Sequence, residues 1–161
     1  MAHEPRLLFP ELLVDYFQDL VLRTEGVKEM LDELAEFSAV ILADPAFAFC
    51  STTLIQRKKP VTVASSEERA LRLDETQYSS GDGPCLSAIR QQVVVHVPDL
   101  TKDHRWPAYT AAALEAGVGS SLAVPLVLEG EAIAGLNLHS TRSHGFSGED
   151  VSMVETYSYH A

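Results

Sequence analysis

Cysteine is nearly absent from this chain, with only Cys50 and Cys85 among 161 residues. Two thiols cannot build the disulfide framework of a small secreted domain, so a reducing cytoplasm is the expected compartment. No C-x-x-C or H-x-x-x-H spacing occurs, which removes the common zinc signatures. Basic residues are scarce too: 12 Lys and Arg stand against 23 Asp and Glu, a net charge of −11. Nucleic-acid binding needs clustered cations to displace phosphate counterions, so this segment is not expected to hold DNA or RNA. The one basic cluster, Arg57-Lys58-Lys59, reads as a solvated hairpin tip before Pro60. No apolar run approaches the roughly 18 residues of a membrane span. The opening Met1-Ala2-His3-Glu4-Pro5-Arg6 leads into no secretory h-region. There is no P-loop, and no spacing that suggests a Ser-His-Asp triad.

What is present is an ordinary globular composition, 46% hydrophobic, in a chain long enough for one domain with a core. Leu13, Tyr16, Phe17 and Leu20 recur at helical spacing, as do Val27, Met30, Leu31, Leu34, Phe37 and Ile41. These predict one or two amphipathic helices ending near Asp44-Pro45. Their apolar surface exceeds what one small sheet requires, which suggests self-association as a homodimer. Ala46 to Gln56 and Val61 to Ser65 read as strands joined by the basic tip, and Glu67 to Leu73 as a short polar helix or turn.

The phrase Gly81-Asp82-Gly83-Pro84-Cys85 follows the polar run Asp74 to Ser80. Pro84 suits a first helical position, which puts Cys85 in the first turn of a helix running to Gln91. There the helix dipole can lower a thiol's pKa. The segment is therefore a reactive thiol, an anion cradle or a tightly packed turn. A free cysteine is also among the residues most often simply buried, and Cys50, beside Phe47 and Phe49, reads as core. Val93 to Val97 predicts a strand. A helix from Trp106-Pro107 to Ala116 is closed by Gly117. Ser120 to Leu128 and Ala132 to Ser140 predict a hairpin through Glu129-Gly130-Glu131. Ser147 and Asp150 have the spacing of a capping pair for a last helix. The expected class is α+β, a mostly antiparallel sheet of five to six strands with helices on its faces.

These motifs in this order resemble the GAF sensory domain, a fold related to PAS. The carrying phrases are Gly81-Asp82-Gly83-Pro84-Cys85, Val95-x-Val97-Pro98-Asp99-Leu100, Asp103-x-Arg105-Trp106-Pro107, Gly117-Val118-x-Ser120-Ser121-Leu122-Ala123-Val124-Pro125-Leu126 and Ala134-Gly135-Leu136-Asn137-Leu138. The first phrase and Arg105-Trp106-Pro107 are similar to the sensory half of actinobacterial GAF–ANTAR antitermination regulators. That resemblance implies an RNA-binding three-helix output domain, which these residues do not include. The expected division is an N-terminal helix over residues 1–24, available for dimerisation, and a GAF domain over 25–161.

The resemblance also implies a small-molecule pocket between the sheet and the middle helices. Its candidate lining is Phe49, Ser51, Tyr78, Cys85, His96, Trp106, Tyr109, Ser121 and Asn137. Strand alternation lets only one of Phe49 and Cys50 face it. No cofactor is specified. Haem would need a His ligand, and His96 and His139 lie on strands, His104 and His144 in loops. The cyclic-nucleotide pattern is broken, with Leu138 after Asn137 where Lys is expected and Val151 after Asp150 where Glu is expected. A bilin-attaching Cys precedes His, but Cys85 precedes Leu86. Free methionine-(R)-sulfoxide reductases share a similar Gly-x-Gly-x-Cys phrase, yet Thr110 to Ala116 lacks their catalytic Cys. The expected function is non-catalytic sensing of an unidentified small molecule. A thiol switch or reductase centred on Cys85 and a pure dimerisation module are the alternatives.

Overall fold

The computed structural model describes residues 48–128 and 132–158. Five strands form one sheet in the order β2-β1-β5-β4-β3, with every neighbouring pair antiparallel. They are β1 (Ala48–Gln56), β2 (Lys59–Ser65), β3 (Val95–Val97), β4 (Ser120–Leu128) and β5 (Ala132–Ser140). Helices α1 (Glu68–Ser80), α2 (Pro84–Gln91) and α3 (Pro107–Glu115) lie between β2 and β4 in the chain, and α4 (Gly148–Ser158) follows β5. The α+β expectation holds.

Arg57 and Lys58 both take positive φ, 52° and 69°, so the basic tip is a two-residue turn whose twist matches its strands. Register then shifts between Thr52 and Thr53: Thr52 pairs with Ala64 but Thr53 with Thr62, leaving Val63 as the extra residue of a bulge. That shift puts Thr62 beside Thr53, which matters below. The last helix opens as expected, with Ser147 Oγ accepting from the Asp150 amide at 3.0 Å and Asp150 Oδ2 from the Ser147 amide at 3.1 Å.

Three boundaries differ from expectation. Helix α1 runs to Ser80, because Ala70, Leu73, Asp74 and Gln77 form one inward stripe; the polar run continues the helix rather than ending it. Strand β3 starts at Val95, since Gln92 turns left-handed (φ 58°) and Val93 is exposed. Helix α3 ends at Glu115, two residues before Gly117, with Ala116 as its cap and Gly117 beyond at φ +85°. The helices predicted over residues 10–44, the Glu129–Glu131 turn and the 1–24 unit lie outside the described residues.

The sheet's two faces are read from its register. Phe49, Ser51 and Thr53 of β1 pair with His139, Asn137 and Gly135 of β5, while Ser121 and Ala123 of β4 pair with His139 and Asn137. This face meets α1, α2 and α3. Its core includes Phe49, Ala70, Leu73, Ala88, Val97, Leu100, Trp106, Tyr109, Ala113 and Ala123. The opposite face carries Cys50, Leu54, Leu122, Val124, Leu126, Leu136 and Leu138, all buried. Helix α4 packs against β4.

Candidate functional site

The Gly-Asp-Gly-Pro-Cys phrase is a helix-to-helix joint. Gly81 caps α1 at φ +78°, and a Cβ on Gly83 would lie 2.2 Å from Gln77 Oε1. Gln77 occupies that space because its Oε1 accepts the Cys85 amide at 3.0 Å. A donor at the start of α2 is thus taken within the chain, which argues for the packed-turn reading over the anion cradle. On the far side of α2, a Cβ on Gly135 would come 3.0 Å from Cys85 Sγ and 3.2 Å from Ile89, so glycine lets α2 settle onto β5. Cys85 is 1% exposed. Burial, and then the Asp74 charge, push its thiol up to about 12. The helix N-terminus does not produce a thiolate here, because desolvation outweighs the dipole.

Next to Cys85 lies a buried polar network centred on Asp74, which is fully buried on α1. Ser51 Oγ donates to Asp74 Oδ1 at 2.9 Å, Thr62 Oγ1 to Oδ2 at 2.7 Å, and Asn137 Nδ2 to Oδ1 at 3.1 Å. Asn137 Nδ2 also approaches Ser51 Oγ at 3.1 Å and Thr53 Oγ1 at 3.3 Å. The Tyr78 hydroxyl lies 2.7 Å from both Thr53 Oγ1 and Thr62 Oγ1. Hydrogen counting gives the chain a direction. With Asp74 ionised, Thr62 spends its one hydrogen on the carboxylate, so Tyr78 donates to Thr62, and Thr53 in turn donates to Tyr78. Burial pushes the Asp74 carboxyl up to about 7, against the pull of Thr62, Ser51 and Asn137. Burial and the same carboxylate also raise Tyr78.

An aromatic group adjoins this network. The His139 ring stacks on Phe49 at 5.0 Å between centroids, and Tyr109 Oη lies 3.3 Å from His139 Nδ1. Burial, with Arg69 adding a smaller push, lowers His139 to about 3, so its ring is neutral. Burial likewise raises Tyr109. The Arg69 guanidinium covers Phe49 at 4.3 Å and donates to Glu67 Oε1 at 2.5 Å and to Ala116 O at 3.1 Å. It also lines an open groove between α1 and α3 with Arg72, Leu73, Thr76, Ala112, Glu115 and Ala116.

Three buried polar atoms on this face have no hydrogen-bond partner among the described residues: Asn137 Oδ1, His139 Nε2 and Ser121 Oγ. The Ser121 hydroxyl lies near that of Tyr109 but out of good hydrogen-bonding geometry with it. Their residues are 3%, 1% and 2% exposed, and they occupy neighbouring register positions. Most buried polar groups find a partner; these three stand on adjacent positions, while His96 Nε2 and Thr110 Oγ1, also without a partner among the described residues, lie apart from them.

The sheet and helices bring Phe49, Ser51, Tyr78, Cys85, Trp106, Tyr109, Ser121 and Asn137 to the helix-covered face. His96 is the correction. It pairs with Leu122, and alternation turns it to the opposite face from Ser121. There it is half-buried, and burial followed by the nearby His144 lowers its pKa. Cys50 also pairs into that face, opposite Leu138, and Phe49 takes the helix-covered side. Asp74, Thr53, Thr62 and His139 were not expected at the site. Two signals were available: the four-residue step from Ala70 to Asp74, and the two-residue step from Asn137 to His139. Among the described residues no group of three His, Cys, Asp or Glu side chains is placed to hold a metal.

Solved structures share this architecture. A putative GAF sensor protein from Burkholderia vietnamiensis superposes with a TM-score of 0.66 at 18% identity, covering 94% of this chain and 89% of that one. The reduced free methionine-R-sulfoxide reductase of Staphylococcus aureus gives 0.65 at 14% identity, covering 94% of each chain. The GAF domain of a phosphoenolpyruvate-protein phosphotransferase from Coxiella burnetii gives 0.61 at 18%, covering 94% and 89%. At these identities the likeness shows the fold alone. No curated protein matches the sequence. A family model described as GAF domain matches residues 24–161, and the chain belongs to the GAF domain family.

Proposed function

We propose that this chain is a non-catalytic GAF domain that senses a small molecule within a bacterial regulator of the GAF–ANTAR type. The observation that carries the sensing role is the set of three buried, unpartnered polar atoms beside Phe49 and Tyr109. A bound molecule would complete their hydrogen bonds, and the rings would supply apolar contact. Binding would shift the population between arrangements of the terminal helices at a homodimer seam. RNA contact belongs to the output domain, consistent with the −11 charge of this chain. The setting is the cytoplasm; among the described residues no helix is long and apolar enough to cross a membrane.

Structural neighbours include reductases, so thiol chemistry is the competing reading. It would need a thiolate to attack the sulfoxide and a second thiol to resolve the intermediate. Here Cys85 is held protonated, and Cys50 is fully buried on the other face of the sheet. Both features favour the non-catalytic reading.

Native mass spectrometry of the purified protein tests the proposal. A dimer carrying a removable small mass is the expected result. A bare chain that no small molecule stabilises against heat would favour a pure dimerisation module, because a ligand specific for the folded state must raise stability.

A further inference from the structure

We propose, building on the sensory reading above, that the site selects a small, uncharged, planar molecule that donates an N–H or O–H to Asn137 Oδ1. The orientation of the Asn137 amide comes from its neighbours. Its nitrogen points at three oxygens, those of Asp74, Ser51 and Thr53. Turning the amide over would set its oxygen against the Asp74 carboxyl. The network therefore presents Oδ1, an obligate acceptor, on the unpartnered side. Asp74 acts as a positioning residue for that acceptor. This holds in both charge states of the carboxyl, since a proton on Oδ2 would face Thr62 and leave Oδ1 to the amide.

Size follows from the register. Asn137 and His139 are two residues apart on one strand, about 7 Å, and Ser121 lies across from His139 at about 5 Å. One or two fused rings span that triangle. His139 is locked at Nδ1 by Tyr109 and offers only Nε2. Ser121 can donate or accept, so the obligate demand on the ligand is the donor at Asn137. The flat walls are Phe49, itself stacked on His139, and Tyr109.

Neutrality follows from how the site treats its own groups. Cys85 and Tyr109 are both pushed toward their protonated, uncharged forms, while His139 is pushed toward its deprotonated, uncharged form. The geometry says the same: Asn137, His139 and Ser121 are 3%, 1% and 2% exposed, so a ligand charge there would lose its hydration without gaining a free counter-charge. The charged side chains nearest it are engaged: Asp74 by Ser51, Thr62 and Asn137, and Arg69 by Glu67, Ala116 and Phe49. The groove between α1 and α3 gives an approach, with Arg69 lying between it and Phe49.

Four probes that share a fused bicyclic ring, the last two carrying a charged side chain, test this by calorimetry and thermal shift on the wild-type protein: indole, benzofuran, indole-3-acetate and tryptamine. Indole, neutral with one N–H, is expected to bind saturably and raise Tm. Benzofuran, which lacks the donor, is expected to bind at least tenfold more weakly, because it leaves Asn137 Oδ1 unpaired. The two charged probes are expected not to bind where indole saturates. Asn137→Leu should erase the difference between indole and benzofuran; should that variant not fold, the wild-type pair alone decides. Equal binding of indole and benzofuran, binding of a charged probe as tight as indole, or no binding of indole would each overturn the ligand class. Native mass spectrometry separates that failure from failure of the sensory reading. A retained charged molecule would overturn the class and leave the sensor standing; an empty protein that binds none of the four would likewise overturn the class, and the sensory reading falls only if no small molecule of any class raises Tm.

Discussion

The two faces of the sheet are built from the same strands by different chemistry. On one face the aliphatic side chains Leu54, Leu122, Val124, Leu126, Leu136 and Leu138 dominate the buried positions, with Thr52, Ser120 and Ser140 the buried polar residues among them. On the other, Ser51, Thr53, Ser121, Asn137 and His139 stand at alternating positions of those strands, equally buried but polar. Packing alone would favour aliphatic residues on both, since each buried polar group costs free energy unless it is fully bonded. Among the described residues the helix-covered face leaves three polar atoms without partners on adjacent positions, against His96 Nε2 alone on the other. The aliphatic face holds the fold together, and the polar face is where a ligand would be read.

Cutting into the aliphatic face should give the largest loss of stability. Leu136→Ala and Leu122→Ala remove fully packed side chains and should each cost about 3 kcal/mol in urea unfolding. The loss should be the same with or without a bound probe. Closing the joint at Gly83 comes next. Gly83→Ala drives a methyl into Gln77, which must give up the Cys85 amide. The expected cost is about 1–3 kcal/mol, measured the same way.

The polar face should show itself through pH. Asp74 has a folded pKa near 7, raised above its ordinary value of 3.8. The folded state therefore binds the proton more tightly than the unfolded one, and this group's contribution is fully present below about pH 4. It is lost as pH rises through about 7. Asp74→Asn should remove that decline, so the stability of the variant relative to wild type should increase from pH 4 to pH 7. A parallel pair of stability–pH curves would contradict the buried, raised carboxyl. The smallest effect belongs to the hairpin, far from either face. Lys58 sits at φ 69°, and Lys58→Gly should stabilise by up to about 1 kcal/mol. The thiols give a check without mutation. Both are buried, so alkylation of the native protein at pH 8 should be negligible and should reach two sites per chain in denaturant.

How far the sequence discloses these faces depends on which periodicity carries the information. Strands β1, β4 and β5 were legible from their alternation and turn residues, as were the Pro-led starts of α2 and α3 and the Ser147–Asp150 cap. Helix α1 reads as shorter from sequence because its inward stripe contains Asp74 and Gln77, and a polar inward stripe does not look like a buried one. The role of Asp74 is hidden for the same reason: its burial is set by Ser51, Thr62 and Asn137, which arrive from three different strands. Thr62 reaches it only because of the bulge at Val63, a register shift that local sequence does not specify. The side that His96 takes is not legible in the sequence, because the alternation of a three-residue strand cannot be phased until its pairing with Leu122 is known. The helix start at Cys85 is legible as geometry; the choice among reactive thiol, anion cradle and packed turn rests on burial, which only the packed structure supplies.

The most direct test of the division between the faces is methyl NMR of the Ala-, Leu- and Val-labelled protein during titration with indole. Saturable shifts at Ala88, Ala113, Ala123 and Val97, with Leu122, Leu136 and Leu138 unmoved, are the predicted result. Shifts centred on Leu122, Leu136 and Leu138, or no shift at any of these methyls, would contradict it.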